Sequence, residues 1–461
     1  MSAPETSYTG LQAIREYFGS GVTKPYAFRK QQLQLLQQAL LKYDAEICEA
    51  LKTDLKKSPE EAYATETAMV LAEIRVALKK LQKWMKPAKA RTNMVNLPSS
   101  GKIYRDPLGV VLIIAPWNYP LQLLLAPLVG AIAAGNCVVL KPSELAPATS
   151  LMLEMIIRKT FRDDYIKLIP GDGAEVVPQL MQSFRFDHIF YTGSTGVGRI
   201  IYQQAAKVLI PVTLELGGKS PAVIESDADI KTTARRIALG KFTNAGQTCV
   251  APDYLLVHES IKERFLEELK ETIGRFFGDD SSVSNSYGKI INERRFDTLA
   301  GYLTQGRIVF GGRHDRRSLY IEPTLMEDIA EGSALMSTEI FGPILPVYSF
   351  SNMDSALELI RKNPDPLAFY VFTGDAGKEK KWIEAVRFGG GCVNNTLWHV
   401  ANHHLPFGGI GNSGMGAYHG RYSFDVFTHA KPVMKTPTWI DPNIKYPPWE
   451  GKLKWIKRLM K

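Results

Sequence analysis

Leu71, Ile74, Leu78, Leu81 and Met85 recur at alternating steps of three and four residues, which lays them along one side of a helix. It is the second of two long helices that the pattern predicts at the start of the chain. Both are expected to pack an apolar face on a sheet rather than to carry chemistry. Beyond residue 109 the periodicity changes. Short apolar, β-rich runs at residues 110–115, 138–140, 167–169, 188–191 and 212–216 are bounded by Gly, Pro or Asn, with room for a helix between each pair. That alternation predicts an α/β fold on a mostly parallel, doubly wound sheet, whose ligands sit beyond the carboxyl ends of the strands. A second series of runs follows at residues 254–258, 307–310, 345–350, 369–373 and 392–394, separated by helical stretches such as 261–276 and 355–361. A second α/β domain beginning near Glu215 is expected. Residues 86–106 and the Gly-rich region after Asn395 lack helical periodicity and suit a hairpin that reaches a neighbouring subunit.

Composition narrows the class of protein. The 461 residues are 45% hydrophobic and 22% charged, ordinary for a globular chain with two or three domains. The formal net charge of +9 is mild for this length and is no nucleic-acid footprint. The opening MSAPETSYTG lacks the basic-then-apolar pattern of a signal peptide. The apolar stretch at residues 123–134 falls short of the roughly 18 residues of a membrane span. Cys48, Cys137, Cys249 and Cys392 are dispersed and form no CxxC pair, which fits a reducing cytoplasm and suggests neither a disulfide framework nor a zinc site.

Candidate chemistry gathers at the ends of the apolar runs. Cys249, in FTNAGQTCVAPDY, lies in a polar, glycine-containing loop before a strand; a free cysteine alone is more often a small buried hydrophobe. Glu215, in PVTLELGGKSP, ends a strand beside two glycines that allow a close approach, which suits a general base as well as a structural carboxylate. Asn118, in IIAPWNYP, can donate to a developing oxyanion or cap the next helix. YTGSTGVGR, residues 191–199, forms a Gly-rich strand-to-helix turn able to face a pyrophosphate, but it does not match G-x-G-x-x-G. LKPSE ends an earlier strand with Lys141 and Glu144, placed to contact an adenosine ribose. Three matches are set aside. Gly409, Gly411 and Gly414 fit G-x-G-x-x-G without a preceding strand, Gly218-Lys219-Ser220 has Thr213 where a P-loop needs glycine, and His399/His403 lack the intervening glutamate of a zinc helix.

Taken together and in order, PWNYP, KPSE, GSTGVG, LELGGKSP, NAGQTC and EIFGP resemble the aldehyde dehydrogenase superfamily. The later PFGGIGNSGMGAYHGRYSF resembles its class 3 branch. The resemblance implies a Rossmann-like cofactor domain (residues 1–85 and 107–214), a catalytic domain (215–396), a small oligomerisation element (86–106 and 397–435) and a basic tail (436–461). It implies oxidation of an aldehyde through a thiohemiacetal and a thioester on Cys249, with Asn118 at the oxyanion and Glu215 activating water. By the same similarity Lys141, Glu144, Gly193, Ser194 and Gly198 belong to the cofactor site, and Glu339 and Phe341 orient the nicotinamide ribose and ring. NAD is expected as the preferred cofactor with NADP accepted, because Glu144 repels a 2′-phosphate that Lys141 attracts.

The rival readings are a CoA-acylating reductase or thioester hydrolase on the same cysteine, and a non-catalytic relative. Members of the superfamily that pass the acyl group to CoA generally lack the glutamate base, and an intact Cys249, Glu215 and Asn118 set argues against a dead site. Trp117, Tyr119, Tyr63 and the segment around Trp398 suggest an apolar pocket, and the class 3 resemblance implies medium or long aliphatic, or aromatic, aldehydes. It also implies a homodimer. In the tail, six basic residues stand against Glu450 alone between Lys445 and Lys461, and Trp455, Ile456, Leu459 and Met460 could share one helical face. That suits a weak membrane-surface contact or a solvated basic tail.

Overall fold

Two sheets built largely of parallel strands organise the chain in the computed structural model, which describes residues 10–460. Residues 1–9, with most of the opening polar segment, and residue 461 lie outside that range, as does the Leu459 side chain. In the first sheet, strands run in the order Gly414–Met415, Val212–Glu215, His188–Thr192, Val110–Ile114, Cys137–Lys141, Ile166–Leu168. All pair in parallel except Gly414–Met415, which runs antiparallel to Val212–Glu215. The fold is therefore α/β, as the alternating pattern predicts. The register sets Thr192 opposite Glu215 and Ile114 opposite Lys141, so the loops bearing Asn118, Gly193, Lys141 and the Glu215 carboxylate leave the same edge of the sheet.

The second sheet begins six residues after Glu215, at Pro221–Ile224, in the order Arg307–Phe310, Thr324–Glu327, Ile344–Phe350, Tyr254–His258, Pro221–Ile224, Ala368–Phe372, Gly390–Val393. Only Arg307–Phe310 pairs antiparallel in it. The helix Gln122–Ala134 is buried along its whole length between the first sheet and the N-terminal helices. It stops at Gly135, whose φ of +91° an L side chain resists, and the Arg29 guanidinium lies flat against that glycine while donating to the Ala133 carbonyl at 3.1 Å.

The N-terminal region departs from the expected pair of long helices. Tyr26–Lys42 and Ala68–Met85 are long, but Leu11–Gly19, Asp44–Leu55 and Pro59–Ala62 are separate helices, and a π-helical turn, Tyr63–Thr67, leads into the last. The breaks have local causes. Lys56 is left-handed (φ +56°) and ends Asp44–Leu55, and Ser58 with Pro59 then caps and starts the next helix.

The segment at 86–106 does form a hairpin: Ala88–Ala90 pairs with Ser100–Pro107, which pairs along its length with Thr428–Lys435. In the tail, Ile456 of the short helix Leu453–Leu459 faces Met94, Val95, Leu97 and Pro98 of that hairpin, whereas Trp455 is 58% exposed. No described helix is long and apolar enough to cross a membrane.

Candidate active site

The loop before Cys249 is held in a costly backbone conformation. Asn244 and Ala245 are both left-handed (φ +53° and +51°), a geometry that costs a non-glycine residue on the order of 1–3 kcal/mol and persists only where surroundings impose it. Those surroundings are polar and specific. Asn244 Nδ2 donates to the Asn118 carbonyl at 2.8 Å, and its backbone N–H to Glu61 Oε1 at 2.8 Å. Gln247, fully buried, donates through Nε2 to the carbonyls of Asn244 and Lys289 at 3.0 and 2.9 Å, and accepts from Ile291 N–H at 3.0 Å. Gly246 lies so close to the Gly342 carbonyl that a Cβ there would collide with it. The thiol that follows is thus fixed in place.

Cys249 and Glu215 line one cavity of about 310 Å³, whose other walls include Met69, Leu123, Leu239, Val250 and Tyr418. Burial pushes the Cys249 thiol up to about 12, and the carboxyl groups of Glu339 and Glu215 add to the effect. Glu215 is 3% exposed, and neither carboxylate oxygen has a hydrogen-bond partner among the described residues. Burial alone therefore holds its proton on well above the ordinary carboxyl range. Asn118 is also buried; its Nδ2 donates to the Gln247 carbonyl at 3.0 Å, two residues before the thiol, which leaves a second N–H for another acceptor. Tyr119 Oη meets Thr248 Oγ1 at 2.6 Å.

Of the aromatic residues expected in the pocket, Tyr119 and Trp398 line it, whereas Tyr63 and Trp117 do not. Trp117 instead packs edge-on against Phe341, with centroids 5.3 Å apart, and Tyr63 begins the π turn with its own side chain 43% exposed.

A second group of residues fits a dinucleotide. Lys141 Nζ lies 3.2 Å from Glu144 Oε2, and that same oxygen accepts from Gly173 N–H at 3.2 Å. Burial lowers the Lys141 pKa and Glu144 opposes the shift. Ser194 caps the helix Thr195–Ala206, whose free amides form an anion-binding end, and a Cβ at Gly193 would strike the Tyr191 hydroxyl. Gly198 packs on Leu216, where a Cβ would approach a side-chain carbon to 2.6 Å.

Across the cleft Glu339 closes over Gly217, leaving no room for a side chain there. Gly218 N–H donates to its carboxylate, and its Oε1 is buried without a partner among the described residues. Burial first, then Asp253, raises the Glu339 pKa to about 8. Phe341, two residues on, is left-handed (φ +47°). An orphaned carboxylate oxygen, a capped helix end and glycine contacts without Cβ space suit a ribose, a pyrophosphate and a ring.

Sequence reasoning missed several groups that the structure places here. Lys219, set aside as a P-loop look-alike, pairs with buried Asp253 at 2.5 Å, and Asp253 accepts from Ile340 N–H at 2.9 Å, which orders the irregular stretch from Glu339 to Phe341. Both lie inside quoted motifs, so their charges were a readable signal. Lys57, Glu61 and Glu66 lie outside the motifs, and no pattern in the chain links them to Asn118 or Asn244. The glycines at 409–414 form a turn whose end pairs with the strand of Glu215.

Comparison with known proteins agrees with this architecture. The model of the family described as "Aldehyde dehydrogenase family" matches residues 11–433. A 4,4'-diaponeurosporen-aldehyde dehydrogenase of Staphylococcus aureus is 46% identical over 449 residues, covering 97% of each chain. The dimeric NADP-preferring aldehyde dehydrogenase of Canis lupus familiaris is 42% identical, covering 96% of this chain and 98% of that one. A solved structure of the substrate-bound state of Staphylococcus aureus AldH superposes with a TM-score of 0.96 at 45% identity, covering 100% of both chains. The chain belongs to the aldehyde dehydrogenase family. It is an NAD(P)-dependent oxidoreductase of aldehydes, and relatives named as family 3 members, from Arabidopsis thaliana and Rattus norvegicus among others, place it in the class 3 branch.

Proposed function

We propose that Cys249 is the nucleophile, Asn118 the oxyanion donor and Glu215 the base of this dehydrogenase, and that its substrates are medium or long apolar aldehydes. The observation that carries the reading is the meeting of a thiol and an unpartnered carboxylate in one apolar cavity, with a buried amide anchored two residues from the thiol. Cys249 and Glu215 each give up a proton to solvent, and the Cys249 thiolate sulfur bonds to the aldehyde carbon. The carbonyl oxygen becomes an oxyanion that accepts hydrogen bonds from Asn118 Nδ2 and the Cys249 backbone N–H. An oxidised nicotinamide dinucleotide held by Lys141, Glu144, Gly193, Ser194, Gly198, Glu339 and Phe341 would supply the acceptor for the hydride of this carbon. What remains on Cys249 is a thioester. Glu215 then accepts a proton from water as the water oxygen adds to the thioester carbon, and the C–S bond breaks to release the carboxylic acid.

Lys141, Glu144, Gly193, Ser194 and Gly198 would hold the adenosine and pyrophosphate end, and Glu339 and Phe341 the nicotinamide end. NAD is the preferred cofactor in this reading and NADP is accepted, the Lys141 and Glu144 charges opposing one another at the ribose. The division into a cofactor domain (10–85 and 107–214 of the described residues), a catalytic domain (215–396) and a bridging element (86–106 and 397–435) is supported by the change of sheet between Glu215 and Pro221 and by the three-stranded hairpin sheet. The exposed hairpin and the dimeric canine relative support a homodimer. Four free, dispersed thiols support a cytoplasmic setting. Exposed Trp449 and Trp455 beside Lys454 and Lys457 support a weak contact of the tail with an anionic membrane surface.

A series of straight-chain aldehydes, with NADH formation followed in the absence of CoA, tests the substrate class. The expected result is a kcat/KM that climbs with chain length; a maximum at two or three carbons would refute the apolar-pocket assignment.

A further inference from the structure

Ten residues of the N-terminal region hold both loops of the active site. Lys57 and Glu66 have no solvent exposure, and Lys57 Nζ lies 2.6 Å from Glu66 Oε1. The same ammonium donates to the Asn118 carbonyl at 3.1 Å and sits 4.0 Å from the centroid of the Tyr119 ring. The other Glu66 oxygen accepts from the backbone N–H groups of Leu121 and Gln122, each at 3.0 Å. One ion pair therefore grips the oxyanion loop at residues 118, 121 and 122. Glu61 grips the other loop, accepting the N–H of left-handed Asn244 at 2.8 Å, while Asn244 Nδ2 donates back to the Asn118 carbonyl. Glu66 lies in the π-helical turn Tyr63–Thr67, which begins two residues after Glu61, a distortion that recurs at functional sites.

We infer that Lys57, Glu66 and Glu61 are positioning residues, which fix the Asn118 amide and the Cys249 loop relative to one another so that both meet the same carbonyl. The inference rests on the roles proposed for Asn118 and Cys249. A buried ion pair is a poor stabiliser, since apolar replacements of similar volume are often neutral or better, so stability does not explain two charges at this depth. Geometry does: a carbonyl acceptor and two adjacent amides, all gripped at once, leave the loop one position. Displacement of catalytic groups by about 1 Å costs about a hundredfold in rate, so a small loosening is kinetically visible.

The experiment uses the full-length enzyme with NAD and a long aldehyde. Rapid mixing measures the NADH burst rate for Asn118→Ala, for Lys57→Met/Glu66→Gln (both charges removed together), and for the two combined. Cofactor KM and the melting midpoint are measured alongside. The expected result is a burst slowed about ten- to a hundredfold by the paired change, with cofactor KM and midpoint nearly unmoved and less than about threefold further loss when Asn118→Ala is added. Losses that multiply in the combined variant, or a burst within about twofold of the parent, overturn the inference and leave the Asn118 role standing. An Asn118→Ala burst equal to the parent's removes the oxyanion role itself, and the positioning role with it.

Glu61→Ala uncovers no buried ion pair and tests the nucleophile loop directly. Alkylation of Cys249 by iodoacetamide should speed up several-fold while that of Cys48 stays constant. An unchanged Cys249 rate would show that Glu61 does not hold the loop. This second variant decides the matter if the paired change does not fold.

Discussion

Burial favours the protonated forms of Cys249 and Glu215, so in the roles proposed for them each must lose a proton before it can act. Cys249→Ala should abolish turnover while cofactor binding, read by fluorescence titration, is unchanged. The same change at Cys137, buried inside a strand, should leave kcat near its parent value. Glu215→Gln should still give an NADH burst and then stall, with steady-state turnover down about 10²–10⁴-fold.

The sign of the pH effects follows from the raised carboxyl. Glu215 becomes a base only as pH rises through its elevated value, so deacylation should quicken across that rise. Stability runs the opposite way. A carboxyl bound more tightly to its proton in the folded state favours folding below the unfolded value near 4.5, and that contribution is lost as pH climbs towards the folded value. Glu215→Gln, which cannot ionise, should therefore gain melting midpoint on the parent as pH rises above the unfolded value near 4.5; a constant difference would contradict the burial argument. At the ribose, removing the Glu144 charge should raise NADP efficiency relative to NAD at least about fivefold, since two charges at 4 Å interact by about 1 kcal/mol even in water. An unmoved ratio of kcat/KM would place Glu144 away from the 2′-position.

The elements that sequence showed best are those whose signal is local. His188–Thr192 and Tyr254–His258 are apolar runs between clear turn residues, and they stand within a residue of where the pattern puts them. Pro221–Ile224 escaped because four residues starting at proline look like the end of the GGKSP turn. The helix breaks at Lys56 and Ser58 escaped although KKSPEE interrupts the apolar periodicity there and Ser58-Pro59 is a helix-start signal.

The candidate site divides the same way. Cys249, Glu215 and Asn118 sit in motifs that carry their own glycines and prolines, so their loops could be read from sequence. Lys57 and Glu66 bind that site from about sixty residues upstream through charges that only the folded chain brings together. The tail gives the element-scale test. Removing residues after 445 should weaken sedimentation with anionic liposomes several-fold and leave aldehyde oxidation intact. Equal binding of both proteins would mean a merely solvated tail.

At the scale of the whole molecule, the hairpin Ala88–Ala90 with Ser100–Pro107, completed by Thr428–Lys435, shows exposed strands that a second copy can cover. Light scattering at micromolar concentration should report a dimer, and a monomer or tetramer would refute that assembly. The first sheet holds a different lesson in its outermost strand. Gly414–Met415 closes the edge of the strand that ends at Glu215, with Leu216 N–H donating to the Ser413 carbonyl at 3.0 Å, although some two hundred residues separate the two segments. During synthesis the strand of Glu215 therefore leaves the ribosome long before its cover exists, and an uncovered edge invites pairing with other chains. A nascent chain stalled before residue 414 should be a chaperone client without enzymatic competence, and the last tenth of the polypeptide acts as the seal on its folding.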